Sequence, residues 1–148
     1  MAMRVSVIGG SKVTDHEYDL AERVGRILAE RGHTVVCGGL TGAMEAVCKG
    51  ASTADGKTIG ILPGEDPAAA NEYVDVAMAT GLGNARNALV ALNGDGAIAI
   101  DGGYGTLSEI ALTLTEGIPV AGLQTHDVEG VDTVDDPVAA VQSIESRA

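Results

Sequence analysis

Short apolar runs alternate along the chain with longer amphipathic stretches, and most of the runs stop at glycine. Arg4-Val-Ser-Val-Ile8 stops at Gly9-Gly10, Thr34-Val-Val-Cys37 at Gly38-Gly39, and Thr58-Ile-Gly-Ile-Leu62 at Pro63-Gly64. Val74-Asp-Val-Ala-Met78 ends shortly before Thr80-Gly81-Leu82-Gly83, and Ala97-Ile-Ala-Ile100 runs into Asp101-Gly102-Gly103. With Pro119-Val-Ala-Gly122, these runs predict six strands bounded by turn residues. Between them, the spacing of apolar positions predicts helices. The first opens on Thr14-Asp-His-Glu17, a capping box, carries Leu20, Val24, Ile27 and Leu28 on one face, and ends at Gly32. The second runs from about Ala43 to Ala51. A third runs from about Ala85 to Leu92, burying Ala85, Ala88, Leu89 and Leu92 with Arg86 at the edge of that face. A fourth leaves the Gly102–Thr106 turn and ends near Glu116, and a fifth starts at Pro137. Residues 65–72 and 124–136 read as acidic loops.

Strands that alternate with helices and are apolar throughout predict a parallel sheet covered on both faces. The fold class is α/β: a three-layer α/β/α sandwich of Rossmann type with a mainly parallel sheet, one domain over residues 1–148. Ligands of such sheets bind beyond the carboxyl ends of the strands. Nearly all the paired glycines gather on that one rim.

Composition narrows the function. The chain carries a net charge of −12, and its lysines are Lys12, Lys49 and Lys57. No basic patch exists to neutralise phosphates, which excludes nucleic acid and anionic membranes as partners. Few lysines beside so many acids fit a salt-rich cytoplasm, so the melting temperature should rise between low and molar KCl. With no Phe or Trp, the core falls to Val, Ile, Leu and Ala. Cys37 and Cys48 read as small buried residues. His16, His33 and His126 read as surface residues, and Asp135-Asp136 as acidic surface. No stretch reaches the roughly 18 apolar residues of a membrane span, and the first strand begins almost at Met1, so the expectation is a soluble cytoplasmic protein.

Residues 95–109 hold the densest chemistry. A strand enters the turn Gly102-Gly103-Tyr104-Gly105-Thr106 and a helix opens at once. Glycines let the backbone approach a ligand, and the amides and positive dipole end of the new helix suit an anion. Thr106-Leu-Ser-Glu109 spells a second capping box, so Glu109 reads equally as a cap or as a catalyst. Asp101 reads as a ribose partner or as solvation of the turn. Arg86 opposes the dipole of its helix, at a cost of roughly 0.3–1 kcal/mol. It is either a bidentate anion ligand or a boundary arginine reaching for water. Gly9-Gly10-Ser11-Lys12 does not match Gly-x-Gly-x-x-Gly, and no Walker motif is present, which argues against NAD and ATP hydrolysis. No metal site is expected.

Two motifs and their spacing resemble a known superfamily. Gly38-Gly39-Leu40-Thr41-Gly42-Ala43-Met44-Glu45 is similar to its GGG-x-x-G-x-M element, which lines a nucleotide phosphate. Asp101 to Glu109 resembles the PGG-x-GT-x-x-E signature of the cytokinin-activating phosphoribohydrolases called LOG proteins. Arg86 precedes Glu109 by 23 positions, as that family's catalytic arginine precedes its glutamate. Gly60-Ile-Leu-Pro-Gly64, Thr80-Gly-Leu-Gly-x-Ala-Arg-Asn87 and Gly105-Thr-Leu-Ser-Glu-Ile-Ala111 resemble the short Rossmann nucleotide-binding proteins, which are similar to molybdenum-cofactor carriers. Asp101 stands where the hydrolase signature has proline.

The rim and the resemblance together nominate Gly9, Gly10, Ser11, Gly38, Gly39, Gly42, Met44, Thr80, Gly81, Arg86, Asn87, Gly102, Gly103, Gly105 and Thr106 as ligand-binding. The resemblance implies a carrier or sensor of a phosphate-bearing nucleotide-like or pterin-type ligand, with the molybdenum cofactor as its cargo. The alternative is a phosphoribohydrolase acting on nucleoside 5′-monophosphates, in which Arg86 and Glu109 are catalytic. The resemblance also implies a homo-oligomer, a dimer or larger.

Overall fold

In the computed structural model, which describes residues 2–148, the predicted strands form one sheet. Met1, the first residue of the predicted 1–148 domain, lies outside the described residues. The elements in chain order are β1 (Arg4–Gly9), α1 (Asp15–Glu30), β2 (Thr34–Cys37), α2 (Ala43–Ser52), β3 (Thr58–Leu62) and β4 (Val76–Ala79). Then follow α3 (Asn87–Leu92), β5 (Gly96–Ile100), α4 (Tyr104–Thr115), β6 (Val120–Leu123), β7 (Val131–Thr133) and α5 (Pro137–Arg147). The order across the sheet is β4-β3-β2-β1-β5-β6-β7. Every pairing is parallel, so the expected mainly parallel sheet is parallel throughout.

Alternation within each strand builds the three layers. Val5, Val7, Val35, Cys37, Ile98 and Ile100 face one way and pack on Val24 and Leu28 of α1, Val47 of α2 and Val141 of α5. On the opposite face, Ile8, Ala97 and Ala99 meet Ile110 of α4, and Val36 and Ile61 meet Val90 of α3. Ser6 is buried there because its hydroxyl donates to the Val90 carbonyl at 2.6 Å. The two cysteines are buried as expected, with their sulfurs 3.5 Å apart. Among the described residues, no helix is long and apolar enough to cross a membrane.

The chain steps outward from β1 to β4, then returns to place β5 on the other side of β1. That reversal opens a crevice between the carboxyl ends of the two strands. The register pairs Gly9 with Ile100, so the turns Gly9-Gly10 and Asp101-Gly102 leave the sheet side by side.

Several expectations need correction. The predicted helix at 85–92 is a 3-10 turn, Gly83–Arg86, followed by the short α3. Its buried residues are Arg86, Val90 and Ala91, while Ala85 and Leu92 are exposed, because the change of helix type rotates the inward face. The strand predicted from Val74 begins at Val76, which pairs with Ile59 of β3, while the exposed Asp75 accepts from the Thr58 amide at 2.9 Å. The acidic loop 124–136 contains β7, an edge strand with one neighbour and so no need of an apolar run. Asp136 caps α5 by accepting from the Ala139 amide at 2.8 Å. His33 is 3% exposed rather than on the surface. It accepts from the Met3 amide at 3.1 Å, and its other ring nitrogen lies 2.8 Å from Glu145. Arg31 also pairs with that carboxylate, and the Arg31 hydrogen bond draws its pKa down to about 2. His16 is exposed and His126 half-buried.

Candidate functional site

A cavity of about 440 Å³ lies at the carboxyl ends of β1, β2, β3 and β5. It gathers Gly9, Gly10, Ser11, Gly38, Met44, Arg86, Asn87, Gly103, Gly105, Thr106 and Glu109 of the residues nominated above. Lys12, Leu40, Pro63 and Asn84 complete the rim, with Val7 and Ile8 beneath. Sequence reasoning passed over Lys12, although one of three lysines directly after the first glycine turn was a usable signal. Gly39, Gly42, Thr80, Gly81 and Gly102 do not line the cavity; they shape the loops around it. Gly42 starts α2, and the Thr80 hydroxyl donates to the Leu62 carbonyl at 2.6 Å.

The turn before α4 decides the status of Glu109. Gly102 takes φ 104°, and a Cβ there would lie 2.1 Å from the Thr106 hydroxyl oxygen. Gly103 is the N-cap and offers no side chain, so the helix starts at Tyr104. Thr106 is therefore the third helical residue and Glu109 the sixth. A capping box needs the glutamate within the first turn. The cap reading is lost: Glu109 stands a turn too deep and is 8% exposed at the cavity wall. The first amides of α4 are left without side-chain acceptors, as an anion site requires.

Asp101 takes φ 49°, in the left-handed region that favours glycine. Its carbonyl accepts from the Thr125 hydroxyl at 2.8 Å, and its side chain is absent from the cavity wall. Proline cannot adopt this φ, so the turn differs in backbone from one opened by the hydrolase signature.

Arg86 is buried, at 7% exposure, so it is not a boundary arginine reaching for water. Its Nε donates to the Ile61 carbonyl at 2.9 Å and a terminal nitrogen donates to the Asn87 side chain. The other terminal nitrogen lies against Gly38, where an added Cβ would meet it at 2.9 Å. That glycine is needed for the guanidinium to reach the cavity. Burial draws the Arg86 pKa down, while Glu109 and Cys37 oppose the shift. Burial pushes the Glu109 carboxyl up to about 8, against the pull of Arg86. Chemically, the cavity offers a fixed guanidinium, a helix N-terminus and a carboxyl that is mostly protonated at neutral pH.

The comparisons with known proteins agree with this architecture. The family model of the SLOG cluster4 family matches residues 2–147. An uncharacterized protein of Archaeoglobus fulgidus is 41% identical over 140 residues, covering 94% of this chain and 92% of its own length. The molybdenum cofactor binding protein of the phototrophic bacterium Rippkaea orientalis is 34% identical in sequence. It superposes with a TM-score of 0.92 over 99% of this chain and 97% of that one. The molybdenum cofactor carrier protein of Chlamydomonas reinhardtii is 31% identical, with a TM-score of 0.90 over 99% and 98% of the two chains.

Proposed function

The chain belongs to the SLOG cluster4 family, and on that premise we propose that it carries the molybdenum cofactor, holding the phosphate end of that pterin in the cavity around Arg86. The observation that carries this reading is likeness along the whole chain to two molybdenum cofactor proteins. The cavity supports it. Arg86 and the uncapped start of α4 suit phosphate, and local backbone contacts suffice for a chain whose overall field repels anions.

The test is incubation with molybdenum cofactor, gel filtration, and a count of molybdenum and pterin retained per chain. Stoichiometric retention by wild type and none by Arg86→Met is expected. No retention by the folded wild type would refute the carrier reading.

The second reading, a phosphoribohydrolase of nucleoside 5′-monophosphates, is favoured by one observation: Glu109 is not occupied as a cap. Free-base release that disappears in Glu109→Gln at undiminished stability would establish it.

We further infer that a second copy of the chain covers the open part of the sheet. Val76 and Met78 of the edge strand β4 are each 48% exposed. β4 carries no charge, which lets two chains of net charge −12 meet there. Met78→Lys should shift sedimentation to the monomer.

A further inference from the structure

Among the described residues, Glu109 is the acid of the cavity wall, and Arg86 and Lys12 are its cations. An anion entering this space meets the guanidinium and helix α4 with oxygens that only accept. An ionised Glu109 would face those oxygens as a second acceptor, with no proton between them. A protonated Glu109 would be a donor. The surroundings favour the second state. The side chain is 8% exposed, and it stands inside α4 rather than at its start.

The charged and titratable groups around the carboxyl come from three elements. Arg86, from the turn before α3, favours the ionised form, but its Nε is held by the Ile61 carbonyl. Cys37, at the end of β2, is a buried thiol whose own pKa is drawn down chiefly by a hydrogen bond from Cys48. Lys12 lines the cavity from the loop after β1.

Resting on the reading of this cavity as an anion site, we propose that Glu109 binds the ligand as a neutral acid, its carboxyl O–H donating to an anionic oxygen, so that the ligand is taken up together with one proton whenever the empty site is ionised. The balance is simple. The Glu109 carboxylate gains one proton from solvent, one O–H bond forms, and nothing is oxidised or reduced. Burial already raises this carboxyl to about 8, and a bound anion raises it further. The site therefore selects an acceptor-only oxyanion, such as a phosphomonoester dianion. It releases that anion when the proton is withdrawn. A neutral acid cannot stabilise a ribosyl cation, so this role and the hydrolase reading are opposed at the same atom.

Sulfate is the probe, because it carries no proton of its own between pH 6 and 9.5. Calorimetric titrations in buffers of different ionisation enthalpy count the protons taken up. Wild-type affinity should be level below about pH 7 and fall roughly tenfold per unit above about pH 8, the slope of one linked proton. Glu109→Gln keeps an N–H donor at every pH. It should show no such fall and should bind sulfate more tightly than wild type at pH 9.5, a gain that a merely structural role would not produce. Cys37→Ser should keep the wild-type slope.

Level wild-type affinity through pH 9.5, the same fall in Glu109→Gln, or loss of the fall in Cys37→Ser would each overturn the inference. Should Glu109→Gln fail to fold, the wild-type proton count alone decides. Absence of anion binding at every pH would overturn the anion-site reading, and this inference with it. Binding without proton uptake above about pH 8, where the empty site is ionised, would overturn this inference alone.

Discussion

The chain spells Thr-x-x-Glu twice, at Thr14–Glu17 and at Thr106–Glu109, and uses the two in opposite ways. At the first, Thr14 is extended at φ −73° and ψ 166°. The Thr14 amide donates to the Glu17 carboxylate at 2.7 Å, and the Glu17 amide donates to the Thr14 hydroxyl at 3.2 Å. At the second, Gly103 starts the helix before Thr106 is reached, and the same letters land a turn further in. What decides a capping box is where the backbone enters the helix, and the glycines ahead of it set that point. The displaced glutamate becomes a buried acid facing an arginine. The contrast extends to other helices: α5, whose start is outside the cavity lining, is capped by Asp136, while α2 and α4 begin beside the cavity on glycines with no side-chain cap.

The largest expected effect separates the cavity from the cap through Arg86. Arg86→Met should weaken phosphate binding by at least about 100-fold, within the 2–5 kcal/mol for losing one partner of a buried charge-assisted contact. It should also lower stability by about 1–3 kcal/mol, because the Ile61 carbonyl loses its donor. Calorimetry and urea unfolding read the two losses, and Glu17→Gln should leave phosphate binding unchanged.

The next effect is on pH dependence. The folded pKa of Glu109 is raised from the ordinary 4.5 to about 8. Its contribution to stability is therefore complete below about pH 4.5 and is lost as pH rises through 8, at about 1.4 kcal/mol per unit. Urea unfolding should show Glu109→Gln gaining on wild type across that window, by a few kcal/mol at its upper end. Glu17→Gln should show no such gain. Equal behaviour of the two glutamine variants would break the comparison.

Smaller effects come from the threonines. Thr14→Ala should cost about 1 kcal/mol as a lost cap, seen as a drop of about 2–4 °C in melting temperature, with phosphate binding intact. Thr106→Val should cost less stability than Thr14→Ala, because Thr106 caps no helix amide, yet weaken phosphate binding a few-fold, because Thr106 lines the cavity. Equal melting losses at both threonines would mean that the second box is also a cap.

The sequence made the rim legible for a physical reason: a parallel sheet needs apolar strands, and close approach to a ligand needs glycine where they end. β7 stayed hidden because Val-Asp-Thr at a sheet edge has one neighbour and no apolar period. His33 was misplaced because its burial depends on Glu145, 112 residues away. The depth of Arg86 was equally non-local, being set by the Ile61 carbonyl and the empty space over Gly38. Glu109 was left open between two readings, and its four-residue context could not close the question. The start of α4 did.

The most direct test of the central claim is a crystal structure with inorganic phosphate at a concentration that calorimetry shows to be saturating. Phosphate held by Arg86 and the first amides of α4, with the Glu109 carboxyl within hydrogen-bonding distance, is the predicted result. Saturating binding with the anion elsewhere and this cavity empty would contradict the account.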